Sequence, residues 1–430
     1  MLNLDWLKEV EVINHDVGYE VIAESIRETL FCHHCFKFNF IGHGIKKQLV
    51  NDTPMHGKKV VIRVLRKRFR CKDCGKTFME ELPDIDDKRL ATKRLVEWVS
   101  KRAIDHTFTS VAHDTGLNEK TVRNIFEDYA TGLNKQFKVV TPRWLGIDEV
   151  HLNKKMRCVV TNVEHNTIVE MFEFRKQDKV ISALYSMPDR DKVELVTMDM
   201  WRPYAHVARK MFPNAKIVID KFHVVRLAGD GMESARKAIR TELTAEGRKA
   251  MLGDRFVMLK HGKELDQEEY LKLSGIISNY PLLEKAYVAK EAYYGIWEAG
   301  EKQKAKDLYD CWRDGIEDEI KPHFTKLTRA MKNWRTQIFN YFDHPVTNAY
   351  TESLNGIIKI MNRNGRGYSF NALRAKMLFA EKAHKRESKS IRSLLSDRGD
   401  RNHMSFMRDE SLNYGTHMPT LIEMEEDGEF

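Results

Sequence analysis

Two C-x-x-C pairs set the first constraint on this chain: Cys32 and Cys35 in FCHHC, and Cys71 and Cys74 in RCKDCGK. Four thiolates is the number a tetrahedral structural zinc site takes. The pairs must meet in space to act together, although 35 residues lie between them. That interval exceeds the usual finger spacing and suits two zinc knuckles joined by strands. His33, His34 and His43 are each able to replace a thiol. Neither pair opens a helix beside a strand–helix–strand unit, which argues against a redox role. Zinc would also help a module of this size, which is small for a secure core. Cys158 and Cys311 stand alone.

The charge distribution points to a polyanion. The 430 residues carry 72 Lys+Arg against 63 Asp+Glu, a net of +9. Residues 56–76, HGKKVVIRVLRKRFRCKDCGK, hold nine Lys or Arg and one Asp, so nearly the whole excess lies there. Val60 to Arg70 mixes β-branched, apolar and basic residues and reads as a strand with a basic face. Its candidate DNA contacts are Lys67, Arg68 and Arg70. No run of ~18 apolar residues is present, so no membrane span and no membrane partner are expected. The N-terminus MLNLDWLKEVEVIN has no apolar core of the kind a signal peptide needs.

Residues 90 to about 135 read as helices. Leu95, Val96, Val99 and Ala103 recur at helical spacing. FTSVAHDTGLNEKTVRNIFEDYA then fits a helix-turn-helix, with a short helix at Ser110–Thr115, a left-handed turn at Gly116, an N-cap at Asn118 and a second helix at Glu119–Tyr129. In that frame Ala112 lies at the close approach and Val122 faces inward. Glu119, Lys120, Thr121, Arg123 and Asn124 would face the major groove.

From Thr141 the texture changes to a mixed α/β sheet. RWLGIDEVHL, KMRCVVTNVEHN and TIVEMFEFR read as three strands and Lys179–Ser186 as a helix. VELVTMDMW reads as a fourth strand, PYAHVARKMF as a helix and AKIVIDKFHVV as a fifth strand. Residues 226–344 read as all-helical. A helix over about Asn348–Met361 and a basic helix to about Lys385 follow, then an acidic tail, EMEEDGEF, expected to be mobile.

Asp148, Asp199 and Asp220 each follow an apolar strand run, where a carboxylate near the core needs a partner or a metal. Each alone reads as an ordinary turn residue; three in one sheet do not. Two divalent ions held by such carboxylates suit phosphodiester chemistry and need no protein nucleophile. Hard oxygen donors select Mg²⁺ or Mn²⁺. No G-x-S-x-G, Walker loop or H-E-x-x-H supports another chemistry. Asn348, Glu352, Asn355 and Lys359 share one helical face, which suits metal and phosphate contacts.

Taken in order, the C-x-x-C pairs, the helix-turn-helix, GIDE, TMDMW-x-x-Y, IDKFH, the helical stretch and N-x-x-x-E-S-x-N resemble bacterial insertion-sequence transposases of the ISL family, the DDE type. The resemblance runs from about Cys32 to Lys385. It implies a multidomain α+β chain: a zinc-binding DNA-recognition module (1–87), a helix-turn-helix (88–138), an RNase H-like α/β catalytic core (139–225 and 345–390) interrupted by a helical insertion (226–344), and a tail (391–430). It implies a triad of Asp148, Asp199 and Glu352 holding two Mg²⁺ or Mn²⁺, and one structural Zn²⁺ on the four paired cysteines. Asp220 and His223 form an accessory D-x-x-H, with Asp220 an alternative second ligand. Water would free a 3′-hydroxyl at the element end, and that hydroxyl would attack target DNA. Lys359 and Arg363 would hold phosphates. Trp297, Trp312 and Trp334 are stacking candidates for an end base, with core packing the favoured role for each. The implied partners are double-stranded DNA, as terminal inverted repeats and target, and a second copy of the chain or more. The implied place is the bacterial cytoplasm, at the nucleoid when bound to DNA. Two other readings stay open: a domesticated, non-catalytic DNA-binding regulator and a stand-alone nuclease with the same core. Inverted repeats beside the gene would favour the mobile element.

Overall fold

The computed structural model describes residues 3–384. Where the sequence suggested one strand, the N-terminal part is a seven-stranded sheet. β1 (Leu7–His15) and β2 (Gly18–Ser25) form one antiparallel hairpin, β3 (Phe40–Met55) and β4 (Lys58–Cys71) another. β5 (Thr77–Met79) pairs with the end of β4, and β6 (Ile85–Asp86) and β7 (Ala91–Thr92) close the far edge. The β3–β4 turn is His56–Gly57, both at positive φ, the conformation that matches the twist of a two-residue hairpin. Alternation along β4 turns Val60, Ile62 and Val64 inward against Val21, Ala23 and Val50. A separate small cluster joins Cys32, Cys71 and Phe78 to Phe40 and Phe69. The module therefore has an apolar core apart from its cysteines, a correction to the view that it is too small for one.

Three helices follow: α1 (Lys93–Asp105), α2 (Phe108–Thr115) and α3 (Glu119–Gln136). Thr92, Thr107 and Asn118 cap them, accepting from the backbone N–H of Leu95, Ser110 and Lys120. Capping by Thr107 starts α2 two residues ahead of Ser110. Gly116 ends it in the left-handed region at φ +76, as expected of a C-cap glycine. α3 runs past Tyr129 because Ala130 and Leu133 continue its apolar face.

The second sheet contains β8 (Trp144–Leu152), β9 (Lys155–Asn162), β10 (Thr167–Phe172), β11 (Leu195–Met198) and β12 (Lys216–Ile219), in the order β10-β9-β8-β11-β12. The first three make an antiparallel meander; β11 and β12 add in parallel. α4 (Gln177–Leu184) and α5 (Arg202–Met211) fill the connections. The fifth strand stops at Ile219 instead of running through His223. Asp220 accepts the Phe222 N–H and starts α6 (Lys221–Glu242), along which Val224, Ala228, Met232 and Ala235 repeat at helical spacing.

From residue 221 on, the described residues hold no strand. α7 (Ala245–Gly253), α8 (Arg255–Leu259), α9 (Gln267–Asn279), α10 (Pro281–Ile296), α11 (Lys302–Gly315) and α12 (Thr325–Phe339) share one core with the sheet, continuous from Leu145 to Phe339. Trp297, Trp312 and Trp334 are buried in it. α13 (Ala349–Asn364) then lies on β8 and β9, and α14 (Phe370–His384) packs on the α1–α3 bundle. The Lys376 ammonium of α14 donates to the carbonyls of Ala103, Ile104 and His106, where α1 ends, inside a ring of Phe108, Phe126 and Tyr368. It thereby supplies the donors that a helix C-terminus lacks. The acidic tail and everything from residue 385 lie outside the described residues. No helix among those described is long and apolar enough to cross a membrane.

Candidate active site

Strand register brings the three aspartates into one row. Ile147 pairs with Met198, and Met198 with Ile219. The residue after each of these is Asp148, Asp199 or Asp220, so the three aspartates stand level at one end of adjacent strands. Asp199 and Asp220 lie just past their strand ends, each directly after its apolar run. Asp148 does not: β8 continues to Leu152, because that half of the strand is still paired with β9.

Glu352 reaches the row because α13 docks tightly on β8. The contact needs Gly146, the residue two before Asp148. A Cβ there would stand 2.4 Å from Thr161 Oγ1 and 2.9 Å from both Asn348 Oδ1 and Thr351 Oγ1. Thr161 and Thr351 hydroxyls instead bond at 2.7 Å. Asn355 donates to Asp148 Oδ2 at 2.7 Å, and Thr197 donates to Asn348 Oδ1 at 3.3 Å. Asn348 and Asn355 are thus buried between helix and sheet, where each joins α13 to the strands, and Asn355 Oδ1 and Asn348 Nδ2 have no hydrogen-bond partner among the described residues.

His223 sits at the centre. Its Nε2 lies 2.8 Å from Asp199 Oδ1 and 2.9 Å from Glu352 Oε1. Asp220, His223 and Glu352 each offer a ligand atom within 4.8 Å of the others. The hydrogen bond to Asp199 raises the His223 pKa to about 9, so the ring is cationic at neutral pH. Burial, and then the Asp199 charge, push the Asp148 carboxyl up to about 7. Burial also raises Asp220, whose Oδ2 has no hydrogen-bond partner among the described residues. Crowded, desolvated carboxylates of this kind mark functional sites.

The cysteines meet as the spacing required. Cys32 Sγ lies 3.8 Å from Cys74 Sγ, and Cys35 Sγ 3.6 Å from Cys71 Sγ. A tetrahedron with Zn–S bonds of ~2.3 Å has edges close to that. The two knuckles repeat one backbone pattern: Cys32 N–H to Lys37 O and Phe36 N–H to Cys32 O, then Cys71 N–H to Lys76 O and Gly75 N–H to Cys71 O. Backbone N–H groups of Cys74 and Asp73 lower the Cys71 pKa to about 7, towards the thiolate a metal takes. His33, His34 and His43 are not part of this cluster.

Comparison with known proteins gives the family of the chain. The transposase for insertion sequence element IS1001 of Bordetella parapertussis is 22% identical over 356 residues, covering 81% of this chain and 87% of that protein. The zinc finger of the IS204, IS1001, IS1096 and IS1165 transposases matches residues 29–74, a span that contains all four clustered cysteines. The helix-turn-helix domain of the ISL3 transposase family matches 80–130. The ISL3 transposase domain matches 145–377, more than half of the chain. The chain belongs to the ISL3 family of insertion-sequence transposases. As a member it is a DNA-binding, DNA-cleaving and strand-transferring enzyme with a structural zinc site.

The candidate DNA contacts of this ISL3 transposase divide by environment. Arg68 and Arg70 are exposed on one face of β4, whereas Lys67 turns its ammonium to the Ser25 carbonyl at 3.3 Å. On α3, Lys120 and Asn124 are exposed one turn apart. Thr121 is half-buried, and Arg123 is tied to Glu119 at 2.9 Å and lies over the Phe108 ring. Lys359 and Arg363 are exposed, but Lys359 lies ~10 Å along α13 from Glu352 and does not line the cleft beside the aspartates. That cleft, of about 420 Å³, is lined by Asp148, Asp199 and His223, and also by Arg175, Trp201 and Arg226. The sequence reading missed these last three. Trp201 lies within the TMDMW motif. Arg226 follows His223 by three residues, a helical spacing hidden by the reading of that segment as strand.

Proposed function

We propose that this transposase cuts and joins DNA through Asp148, Asp199 and Glu352, with Asp220 and His223 as accessory residues, on an RNase H-like sheet whose helical segment 226–344 is an insertion. The row made by strand register, closed from above by α13, is the observation that carries this reading. The donor set fits Mg²⁺ or Mn²⁺: oxygen ligands, two carboxyls with raised pKa values and a buried Asp220 oxygen without a partner. Bound there, two such ions would activate the attacking oxygen and stabilise the leaving one. The protein's own part is to hold the carboxylates. Asn355 orients Asp148, the Gly146 notch seats Glu352, and His223 neutralises Asp199 and Glu352 while no cation does so. The zinc module, through Arg68, Arg70 and Lys67, and α3, through Lys120, Thr121, Arg123 and Asn124, bind the terminal inverted repeats. Joining two ends calls for two or more copies of the chain.

The test is cleavage of DNA carrying the gene's flanking repeats in Mg²⁺ or Mn²⁺. Wild type nicks at the repeat end; Asp148→Asn loses at least ~100-fold in rate, the scale of removing one essential electrostatic group, and keeps its affinity for the repeat. Equal cleavage by both proteins would remove Asp148 from the site. Absence of cleavage by either, with binding retained, would favour the regulator reading.

A further inference from the structure

The carboxylate chemistry leaves one wall of the cleft unused. Arg226 stands on α6 one turn past His223, so both project on the same side of the helix. It is exposed and makes no hydrogen bond or ion pair with any described residue. Arg175, just after β10, lies with its guanidinium 5.2 Å from the Trp201 ring centroid and is held there by Glu149 at 2.9 Å. Trp201 is positioned in turn. Its backbone N–H donates to Asp199 O at 2.7 Å, and its ring meets Tyr204 edge-on at 4.5 Å. The indole is therefore tied to the loop that carries a candidate catalytic carboxylate.

An unpaired arginine beside a row of acids is a site for an anion that must approach those acids. Guanidinium forks match phosphate oxygens. Nucleobases stack on aromatic rings and on guanidinium planes. The cleft volume of about 420 Å³ falls within the range of sites that enclose small ligands. Trp297, Trp312 and Trp334 are buried and offer a base no face.

We propose that this wall is a nucleotide subsite for the DNA strand being cut: Arg226 holds a phosphate beside the scissile one, and the attached base stacks on the Arg175–Trp201 pair. The proposal rests on the reading of Asp148, Asp199 and Glu352 as the cleavage centre. It makes Trp201 and Arg226 determinants of how the strand end is seated, apart from the repeat-binding elements.

The experiment uses the full-length, zinc-loaded protein. 2-Aminopurine is placed in turn at the last three positions of the cut strand of a repeat-end duplex. In an Asp148→Asn background, which keeps the DNA intact, one position loses at least half its fluorescence on binding. Adding Trp201→Ala restores the brightness of free DNA at that position while repeat affinity stays within about twofold, because the zinc module and α3 hold the duplex. Trp201→Phe retains part of the quench and keeps a ring against Tyr204, so it carries the fluorescence test if the alanine variant melts early. In the otherwise wild-type protein, Arg226→Ala slows cleavage about tenfold to a hundredfold, the range for losing a hydrogen bond to a charged group; Arg226→Lys recovers part of it. Quenching at none of the three positions, quenching unchanged by Trp201→Ala, or wild-type cleavage by Arg226→Ala would overturn the subsite. Those results with Asp148→Asn still inactive would sink the subsite alone. Full cleavage by Asp148→Asn would sink the centre on which it rests.

Discussion

His223 and Asp148 give the metal-free site a defined response to pH. His223 has its pKa raised to about 9 by Asp199, above the ~6.5 of an unfolded histidine. Its stabilising contribution is complete below ~6.5 and is lost as pH rises through about 9. Asp148 is raised to about 7 by burial and by Asp199, from the ~3.9 of an unfolded aspartate. Its ionised form is disfavoured in the fold, so it takes stability away as pH rises from ~4 to about 7. Both effects have the same sign. Together these two groups withdraw stability from pH 5 to pH 9, read as the difference between wild type and a His223→Gln, Asp148→Asn double variant, because Lys376, lowered to about 8, adds stability over the upper end of that range. Mn²⁺ should raise the melting temperature more at pH 8 than at pH 6, where protons compete for the same oxygens. His223→Gln should flatten the profile between pH 6.5 and 9 and leave the lower part intact. A double variant that keeps the wild-type pH profile would contradict this account.

At the scale of elements, the zinc knuckles and the strands behind them are separable. The knuckles hold on four sulfurs and a few aromatics, whereas β1–β4 have their own core of Val21, Val50, Val60, Ile62 and Val64. Cys71→Ser should abolish bound zinc, measured by metal analysis, and release the amides of residues 32–37 and 71–76 to fast hydrogen exchange. Amides of residues 60–64 should stay protected. Repeat binding should fall about tenfold or more as Arg70, next to Cys71, loses its frame. Loss of protection throughout residues 7–71 would mean that zinc secures the whole sheet. This partition was not legible in the sequence. Lys8, Glu9 and Glu11 crowd β1 with charge and mask its alternation, while the basic run of β4 stands out. The strands that lead into the aspartates were legible for the opposite reason: LVTM, and KIVI after its exposed Lys216, are buried on both faces, so they are mostly apolar and run straight into aspartate. KFHVV carries the same β-branched composition, yet the Asp220 cap turns it into helix, and Arg226 was lost to view with it. For Asn348 and Asn355, helical spacing reveals a face but not what that face meets.

Across the whole molecule, the α1–α3 bundle is built into the rest of the chain. Leu354, Ile358, Tyr368, Leu373 and Leu378 of the C-terminal helical part share one apolar cluster with Leu95, Phe108, Val122 and Phe126. Lys376 is buried among these, its pKa lowered by burial to about 8, and answers three backbone carbonyls at the end of α1. Lys376→Met fills similar volume but leaves those carbonyls without their donor. It should cost about 1–3 kcal/mol of stability in denaturant titration, the range for stranded buried acceptors. It should also weaken repeat binding, because α2 starts from the segment that Lys376 fastens. A variant with wild-type stability and affinity would show that water replaces the ammonium without loss.

The position of Lys376 has a consequence for exchange of parts between relatives. A DNA-reading head that hung on a linker would move between proteins as a cassette, cut at any point in the linker. Here the residues that complete the head, Tyr368 to Phe379, come from the far end of the chain, after the glutamate that completes the carboxylate row. A chimera that takes residues 88–138 from one transposase and the remainder from another would inherit a foreign cap and half of a foreign core. Grafts that carry both segments should fold, and grafts that carry only the first should not. Repeat specificity and the C-terminal helix are thereby bound to be inherited as a pair.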